Sequence, residues 1–168
     1  MAVTDWLIRW LADRLLSYFA DVPIAPLSRD ERVQRIMLRL ASTPTLFGGD
    51  WTKVFVGRNV KLVNTLLNVT SGTITIGDDT FFGHGVSLLT GTHETGRTAA
   101  ARQDFPSEGH DIMIGKGVWI ASGATVLGPC TIEDDVVVAA GAVIVGGTLE
   151  RGGVYAGIPA RKVKSIRE

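Results

Sequence analysis

The sequence predicts an all-β fold, a parallel β-helix, because it combines a six-residue hydrophobic period, a turn position in each repeat and one long interruption. In steps of six from Ile114, aliphatic residues recur up to Ile144, and after Glu150 the pattern returns at Ala156. Small or aliphatic side chains stand four positions further along in each repeat: Val118, Ala124, Cys130, Val136, Ala142 and Thr148. A period of six fits neither an α-helix nor a hairpin sheet, and it is typical of a solenoid in which three flat sides make one coil.

A weaker form of the same pattern occupies residues 54–93, which we expect to form the first coils. Ile76-Gly77 and Phe82-Gly83 share the phase, whereas the register slips after Leu62. In this geometry the aliphatic position points inward and stacks on its equivalent in the next coil, so that neighbouring coils stabilise each other. Cys130 is then a buried filler, because no histidine or basic residue in its repeat would favour a reactive thiolate.

Composition limits the partners that the protein could have. The chain has 168 residues with 17 basic and 17 acidic side chains, so no overall field attracts it to nucleic acid or to an anionic membrane. The single cysteine cannot close an intrachain disulfide. Asp5 and Asp13 stand where a signal peptide would carry positive charge and an uninterrupted apolar core. A cytoplasmic location is therefore expected.

We divide the chain into an N-terminal helical segment, 1–50, and a β-helix domain, 51–168, with a loop excursion at 94–111 and a C-terminal tail. The excursion begins directly after His93, and it does not keep the six-residue phase. A loop of this length inside a regular solenoid is expected to be functional or disordered. His93 is therefore the first residue to consider for chemistry.

Two helices are predicted in the N-terminal segment. An amphipathic stripe of apolar and aromatic residues over 5–20 predicts the first helix. Ser28 and Glu31 form a capping box for the second helix, which stops before Pro44. The aromatic stripe is expected to pack on the β-helix or on a neighbouring subunit, and contact with a membrane surface is the less favoured alternative.

Several short motifs accompany the repeat: Ile76-Gly77-Asp78-Asp79, Gly91-Thr92-His93, the run from Ile114 to Ala121, and Ala156-Gly157-Ile158-Pro159-Ala160-Arg161. Through these motifs, residues 54–164 resemble the hexapeptide-repeat acyltransferases, and among them the maltose and galactoside O-acetyltransferases. The resemblance implies left-handed β-helices that assemble as a homotrimer, with a site between adjacent subunits. It also implies transfer of an acetyl group from acetyl-CoA to a hydroxyl of a sugar or saccharide.

The catalytic histidine of the resembling family falls on His93. An alcohol attacks a thioester only as its proton is removed, and histidine suits that task near neutral pH. The sequence leaves the group that orients the imidazole open between Glu94 and a backbone carbonyl. His84, which follows Gly83 at a turn-type position, and His110, near the return of the loop, are interpreted as structural.

The same resemblance implies the residues that hold the donor. Trp119 is expected to form the wall of the cofactor site at the end where the acyl group reacts. Ser122 and Ala140 are expected to face the pantetheine arm. Arg161 and Lys164 are expected near the nucleotide phosphates. The structural alternatives are that Trp119 only covers the coil surface and that Arg161 is a solvated charge after a turn.

The acceptor is less defined by the sequence than the donor. Asn64 lies near the place where the relatives have a polar acceptor contact, but the N-terminal segment does not resemble theirs. A lysine that these enzymes often carry is replaced by Val145-Gly146-Gly147, which leaves Lys116, Lys162 and Lys164 as substitutes. A free sugar, a polysaccharide unit, an antibiotic and a nucleotide-linked sugar all remain open as acceptors.

Two other functions were weighed for this fold. A γ-class carbonic anhydrase needs three histidines per zinc, with closely spaced pairs. The three histidines of this chain, His84, His93 and His110, are nine and seventeen residues apart, so no metal ligands are assigned. A non-catalytic scaffold would call for a regular surface array of threonines, which the sequence does not contain, and it would give the long loop no purpose.

Overall fold

The computed structural model describes residues 38–166 and divides the chain into two units, Met1–Leu40 and Ala41–Glu168. The predicted helix over 5–20 lies outside the described residues, and so does the second helix as far as residue 37. Residues 38–41 are helical, at the place where the second helix is predicted to end. In the described part of the chain, no helix is long and apolar enough to cross a membrane.

The described part of the second unit consists mainly of short strands. They are β1 (Thr45–Phe47), β2 (Val54–Val56), β3 (Leu66–Asn68), β4 (Ile74–Ile76), β5 (Phe81–Phe82), β6 (Ser87–Leu89), β7 (Ile112–Ile114), β8 (Trp119–Ile120), β9 (Thr125–Ile132), β10 (Val137–Val138), β11 (Val143–Leu149), β12 (Gly153–Gly157) and β13 (Ala160–Ser165). Two 3-10 helices, Trp51–Lys53 and Ala99–Gln103, lie between them.

These strands stack in parallel, coil upon coil, on three faces. The first face carries β2, β4, β7 and the second halves of β9 and β11. The second face carries β5, β8, β10 and β12, and β13 adds to it antiparallel to β12. The third face carries β1, β3, β6 and the first halves of β9 and β11. The predicted parallel β-helix is confirmed, and its third face begins with β1, inside the range 1–50.

The interior of the solenoid contains the residues that the six-residue period selects. Each of them is at most 3% exposed: Ile114, Ile120, Val126, Ile132, Val138 and Ile144. On the third face Leu67, Leu88 and Val126 stack in register from coil to coil. The core is therefore a set of aliphatic columns, and each residue is buried by its equivalents above and below.

The predicted return of the pattern at Ala156 is wrong by one residue. Tyr155, not Ala156, pairs with Val138 and is buried. The cause is the corner within β11, which is one residue shorter than the corresponding corner of β9, because the pairing register shifts between Val145 and Gly147. Residues beyond that corner therefore lie one position earlier than the period predicts.

Cys130 occupies the interior, as the sequence predicts. Its side chain is 3% exposed, and burial raises the pKa of the thiol to about 11. A neutral, enclosed thiol is a poor nucleophile. Cys130 therefore serves packing.

The coils turn at three corners, which we number after the face that precedes them. At the first corner the backbone has a positive φ in each coil, at Asn59, Asp79, Gly117, Asp135 and Gly152. Asparagine, aspartate and glycine adopt this conformation at lower cost than other residues, which explains the composition of the turns.

The first corner also carries ion pairs at the surface. Arg58 pairs with Asp78 at 3.0 Å, and Arg151 pairs with Asp135 at 3.2 Å. Both arginine side chains are mostly exposed, at 90% and 67%, so that each pair contributes little to stability. These arginines are suitable positions for control substitutions.

Asp111 fastens the returning end of the loop to the solenoid. Its Oδ1 accepts hydrogen bonds from the backbone N of Thr73 at 2.7 Å and from Thr73 Oγ1 at 2.8 Å. These bonds hold the pKa of the Asp111 carboxyl below its ordinary value. The folded protein therefore binds this proton less readily than the unfolded chain does.

We expect Asp111→Asn to be less stable than the wild type at neutral pH and equally stable in strong acid. Because the folded pKa lies below the unfolded value of about 3.9, the stabilisation is complete above that pH and is lost as the pH falls through the folded pKa. Thermal unfolding of both proteins between about pH 2 and 7 measures the difference. Glu108→Gln, at an exposed carboxylate of the same loop, is the control. A difference that is constant over the whole range would contradict the expectation.

Candidate active site

His93 lies at the third corner, where the chain leaves the solenoid after β6. Its side chain is exposed, and its Nδ1 lies 3.3 Å from the backbone oxygen of Asp104. The ring of Phe105 meets the imidazole edge-on, with centroids 5.9 Å apart and an interplanar angle of 83°. The far end of the loop therefore returns to hold the histidine at its start.

The contact with Asp104 defines the form of the imidazole. A backbone carbonyl only accepts hydrogen bonds, so Nδ1 carries the hydrogen and donates it. In the neutral ring, Nε2 then has the free lone pair, and within the described residues it has no protein partner. Of the two orienting groups that the sequence left open, the carbonyl occupies this position and Glu94 does not.

The loop between His93 and Ile112 is braced by its own side chains. Arg97 pairs with the carboxylate of Asp104 at 3.2 Å, and Arg102 Nε donates to the backbone oxygen of Arg97 at 2.8 Å. The 3-10 helix Ala99–Gln103 spans the middle of the loop. The backbone N of His110 donates to the oxygen of Ser71 at 3.0 Å and ties the returning end to an earlier coil.

A shallow groove runs across the third corner and is lined in part by Thr92, the residue before His93; we call it the third-corner groove. It is formed by residues at the ends of β6, at the bend of β9 and at the bend of β11: Leu89, Gly91, Thr92, Leu127, Gly128, Pro129, Val145 and Gly146. Its walls are largely apolar. A small acyl group suits such a surface better than a charged one does.

Asn68 is a polar residue beside Gly91, two positions before His93, and it was not predicted from the sequence as a site residue. It ends β3 directly below the departure of the loop, and a Cβ placed on Gly91 would lie 2.6 Å from its amide nitrogen. Its Oδ1 accepts from the backbone N and the Oγ1 of Thr70, at 3.0 and 2.7 Å. The spacing Asn-x-Thr, typical of a side-chain turn, was the available signal.

Asn64 lies elsewhere than the predicted acceptor site would require within one chain. Its Oδ1 accepts from the backbone N of Gly85 at 2.8 Å, at the second corner. Asn64 precedes β3, whereas His93 follows β6, which is paired in register with β3. The two residues are therefore at opposite ends of the third face, about 10 Å or more apart at roughly 3.3 Å per strand residue.

Two residues predicted to contact the pantetheine arm lie one above the other at the second corner. Ser122 and Ala140 are both exposed, and the backbone N of Gly141 donates to the oxygen of Ser122 at 2.9 Å. Ser122 Oγ accepts from the backbone N of His84 at 3.1 Å, which places this histidine in the coil before. His84 is thus part of the turn, as predicted.

Trp119 lies on the second face, in β8, three residues before Ser122. It is 44% exposed and stacks on Phe81 of the preceding coil, with ring centroids 5.9 Å apart and planes inclined by 14°. Phe81 was not predicted from the sequence as part of this surface, although it pairs with Trp119 one coil later.

Arg161 and Lys164 lie on β13 at the other end of this surface. Arg161 pairs with Ala156, and Lys164 pairs with Val154 of β12. In the register of these strands Ser122 and Ala140 are followed on the next coil by Gly157, which pairs with Ala160, the residue before Arg161. Successive positions are spaced by roughly 4.8 Å per coil. We call this row of positions the second-corner strip.

A single chain does not bring the predicted catalytic residue and the predicted donor residues together. His93 lies at the third corner, and the second-corner strip lies at the opposite edge of the third face. Among the described residues there is also no group of three or more histidine, cysteine or acidic side chains that could hold a metal ion. The chemistry available to one chain is that of an oriented, exposed base.

Comparison with known proteins agrees with the solenoid. Residues 111–146 match the family model described as bacterial transferase hexapeptide (six repeats). The fold and this match define a hexapeptide-repeat β-helix, and they confirm the predicted resemblance to the hexapeptide-repeat acyltransferases.

Individual relatives are similar over most of the chain. The galactoside O-acetyltransferase of Escherichia coli (strain K12) is 30% identical over 128 residues, which are 74% of this chain and 60% of that relative. A maltose O-acetyltransferase from Clostridium difficile 630 is 25% identical, with a TM-score of 0.58 over 86% of this chain and 80% of that structure. A galactoside acetyltransferase in complex with coenzyme A shares the fold at 23% identity, with a TM-score of 0.59 over 84% and 74% of the two chains.

Proposed function

We propose that the protein is an acetyl-CoA-dependent O-acetyltransferase that acetylates a hydroxyl of a sugar or saccharide. The observation that carries the proposal is the state of His93: its Nδ1 contacts a backbone carbonyl, and its Nε2 has no protein partner among the described residues. The residue before it, Thr92, lines a largely apolar groove. The similarity to a galactoside and to a maltose O-acetyltransferase supports both the reaction and the class of acceptor.

The geometry suits a general-base mechanism. Nε2 of His93 removes the proton of the acceptor hydroxyl while its oxygen attacks the thioester carbonyl. The carbon–sulfur bond then breaks, and the imidazolium returns the proton to the departing CoA thiolate. The Asp104 carbonyl stabilises the imidazolium because it accepts the Nδ1 hydrogen in both protonation states. Backbone N–H groups near the thioester would stabilise the oxyanion.

In this proposal acetyl-CoA binds along the second-corner strip. A pantetheine arm is extended, and the strip offers exposed small residues, Ser122 and Ala140, on successive coils. Trp119 would cover the end of the acetyl-CoA site at which the thioester reacts. Arg161 and Lys164, both exposed cations, would meet the nucleotide phosphates at the other end.

The separation of His93 from the strip supports a homotrimer of left-handed β-helices. If the third corner of one chain faces the second corner of its neighbour, His93 lies beside the strip of that neighbour. Cyclic symmetry then produces three equal sites, each built from two chains. The same packing would bring Asn64 of one chain towards His93 of another, which is the arrangement that its proposed contact with the acceptor requires.

The remaining expectations fit this proposal. The region 51–168 would form the catalytic domain, with the loop 94–111 walling the acceptor pocket. A cytoplasmic location follows from the need for acetyl-CoA.

The test follows CoA release from acetyl-CoA with a panel of galactosides, maltose, glucose and nucleotide-linked sugars. We expect one or more sugars to give CoA and an acetylated product in equal amounts, which mass spectrometry verifies. Binding of CoA without turnover on any hydroxyl acceptor would refute the acceptor class. Zinc in the purified protein together with CO₂ hydration would favour the carbonic anhydrase alternative.

A further inference from the structure

A closed series of contacts connects the two ends of the loop that follows His93. Arg97 NH1 lies 3.2 Å from Asp104 Oδ2, and the backbone N of Arg97 donates to the oxygen of Glu94 at 3.2 Å. Asp104 then completes the series through its backbone oxygen, which accepts from His93 Nδ1. The path runs from His93 through Glu94 and Arg97 to Asp104 and back to His93.

Asp104 connects two different contacts. Its carboxylate is held by Arg97, and its backbone oxygen faces the imidazole. The next residue, Phe105, places its ring against the edge of the same imidazole. A displacement of the Asp104 backbone would therefore remove both contacts of the His93 ring at once.

The ion pair between Arg97 and Asp104 contributes little to the stability of the rest of the fold. Its two side chains are 53% and 69% exposed, so its contribution to global stability is small. None of the residues in the 3-10 helix between its partners is buried. What the pair does fix is the position of a backbone carbonyl relative to one histidine nitrogen.

We propose that Arg97 is a positioning residue for His93, which through Asp104 holds the imidazole in the Nδ1–H tautomer with Nε2 free. This inference rests on the proposed function, in which Nε2 is the base. Free imidazole side chains favour the opposite tautomer, with the hydrogen on Nε2. In that form the base is blocked, and the ring must exchange its hydrogen before it can act.

The experiment compares Arg97→Met with Arg151→Met, which removes a similarly exposed arginine from an ion pair at the first corner. Nitrogen NMR of ¹⁵N-histidine-labelled protein reads the tautomer of His93, assigned with His93→Ala. We expect Arg97→Met to shift His93 towards the Nε2–H form and to lower kcat about fivefold with the KM for acetyl-CoA unchanged. Arg151→Met is expected to change neither.

A reversed pair distinguishes positioning from loss of a side chain. Arg97→Asp combined with Asp104→Arg keeps the ion pair, and we expect it to restore the Nδ1–H tautomer and kcat. An unchanged tautomer in Arg97→Met would overturn the inference. If the tautomer shifts but the wild type turns over no hydroxyl acceptor, the positioning role stands and the proposed function fails.

Discussion

Replacement of His93 by alanine is expected to lower kcat/KM by about a hundredfold or more. A positioned general base contributes about 10² to 10⁴ in rate, and the described residues offer no second base beside the third-corner groove. CoA release from acetyl-CoA, measured with the best acceptor at equal protein concentration, tests this.

The unfolding temperature and the affinity for CoA serve as controls for this substitution. His93 is exposed and lies outside the interior columns, so we expect the unfolding temperature and the affinity for CoA to stay close to those of the wild type. His93→Asn should be as inactive as His93→Ala, because an amide can accept a hydrogen bond but is not a base at neutral pH. Turnover that survives either substitution would make His93 structural.

Replacement of Ala140 by tryptophan is expected to abolish both the binding of CoA and turnover. Ala140 lies in the middle of the second-corner strip, and an indole ring there would fill the space of the pantetheine arm. The position is exposed, so the larger side chain projects outward without disturbing the core. Calorimetric titration with CoA measures the loss.

Arg58→Trp is the matched control for this effect. It places the same ring at the first corner, where Arg58 is 90% exposed and away from the strip. We expect normal affinity for CoA in this variant. If Ala140→Trp binds CoA like the wild type, the donor lies elsewhere on the protein.

The regular part of the fold could be predicted because each coil repeats the environment of the one before. Ile120 and Val138 meet the same neighbours one coil apart, so a single period identifies both. The shift at Tyr155 could not be predicted, since it depends on a corner that is one residue shorter in β11 than in β9. Glycines occur at both bends, and their presence does not reveal how many residues the turn needs.

The site was predictable only in part for a similar reason. His93 could be selected as the candidate base from its motif and from the interruption that follows it, and this role stays a prediction. Asp104 was not, because the contact joins two points of an irregular loop that no periodicity relates. The separation of His93 from Ser122 depends on which corner each residue occupies, and that follows from strand register.

The most direct test of a site shared between two chains is to mix the two variants that are expected to be inactive, His93→Ala and Ala140→Trp. Co-expressed His93→Ala and Ala140→Trp chains, carrying different tags, would form mixed trimers that can be purified through both tags. If each site takes His93 from one chain and the second-corner strip from its neighbour, random mixing should restore about a quarter of wild-type activity in the unfractionated pool. Mixed trimers that remain inactive would contradict a site shared between two chains.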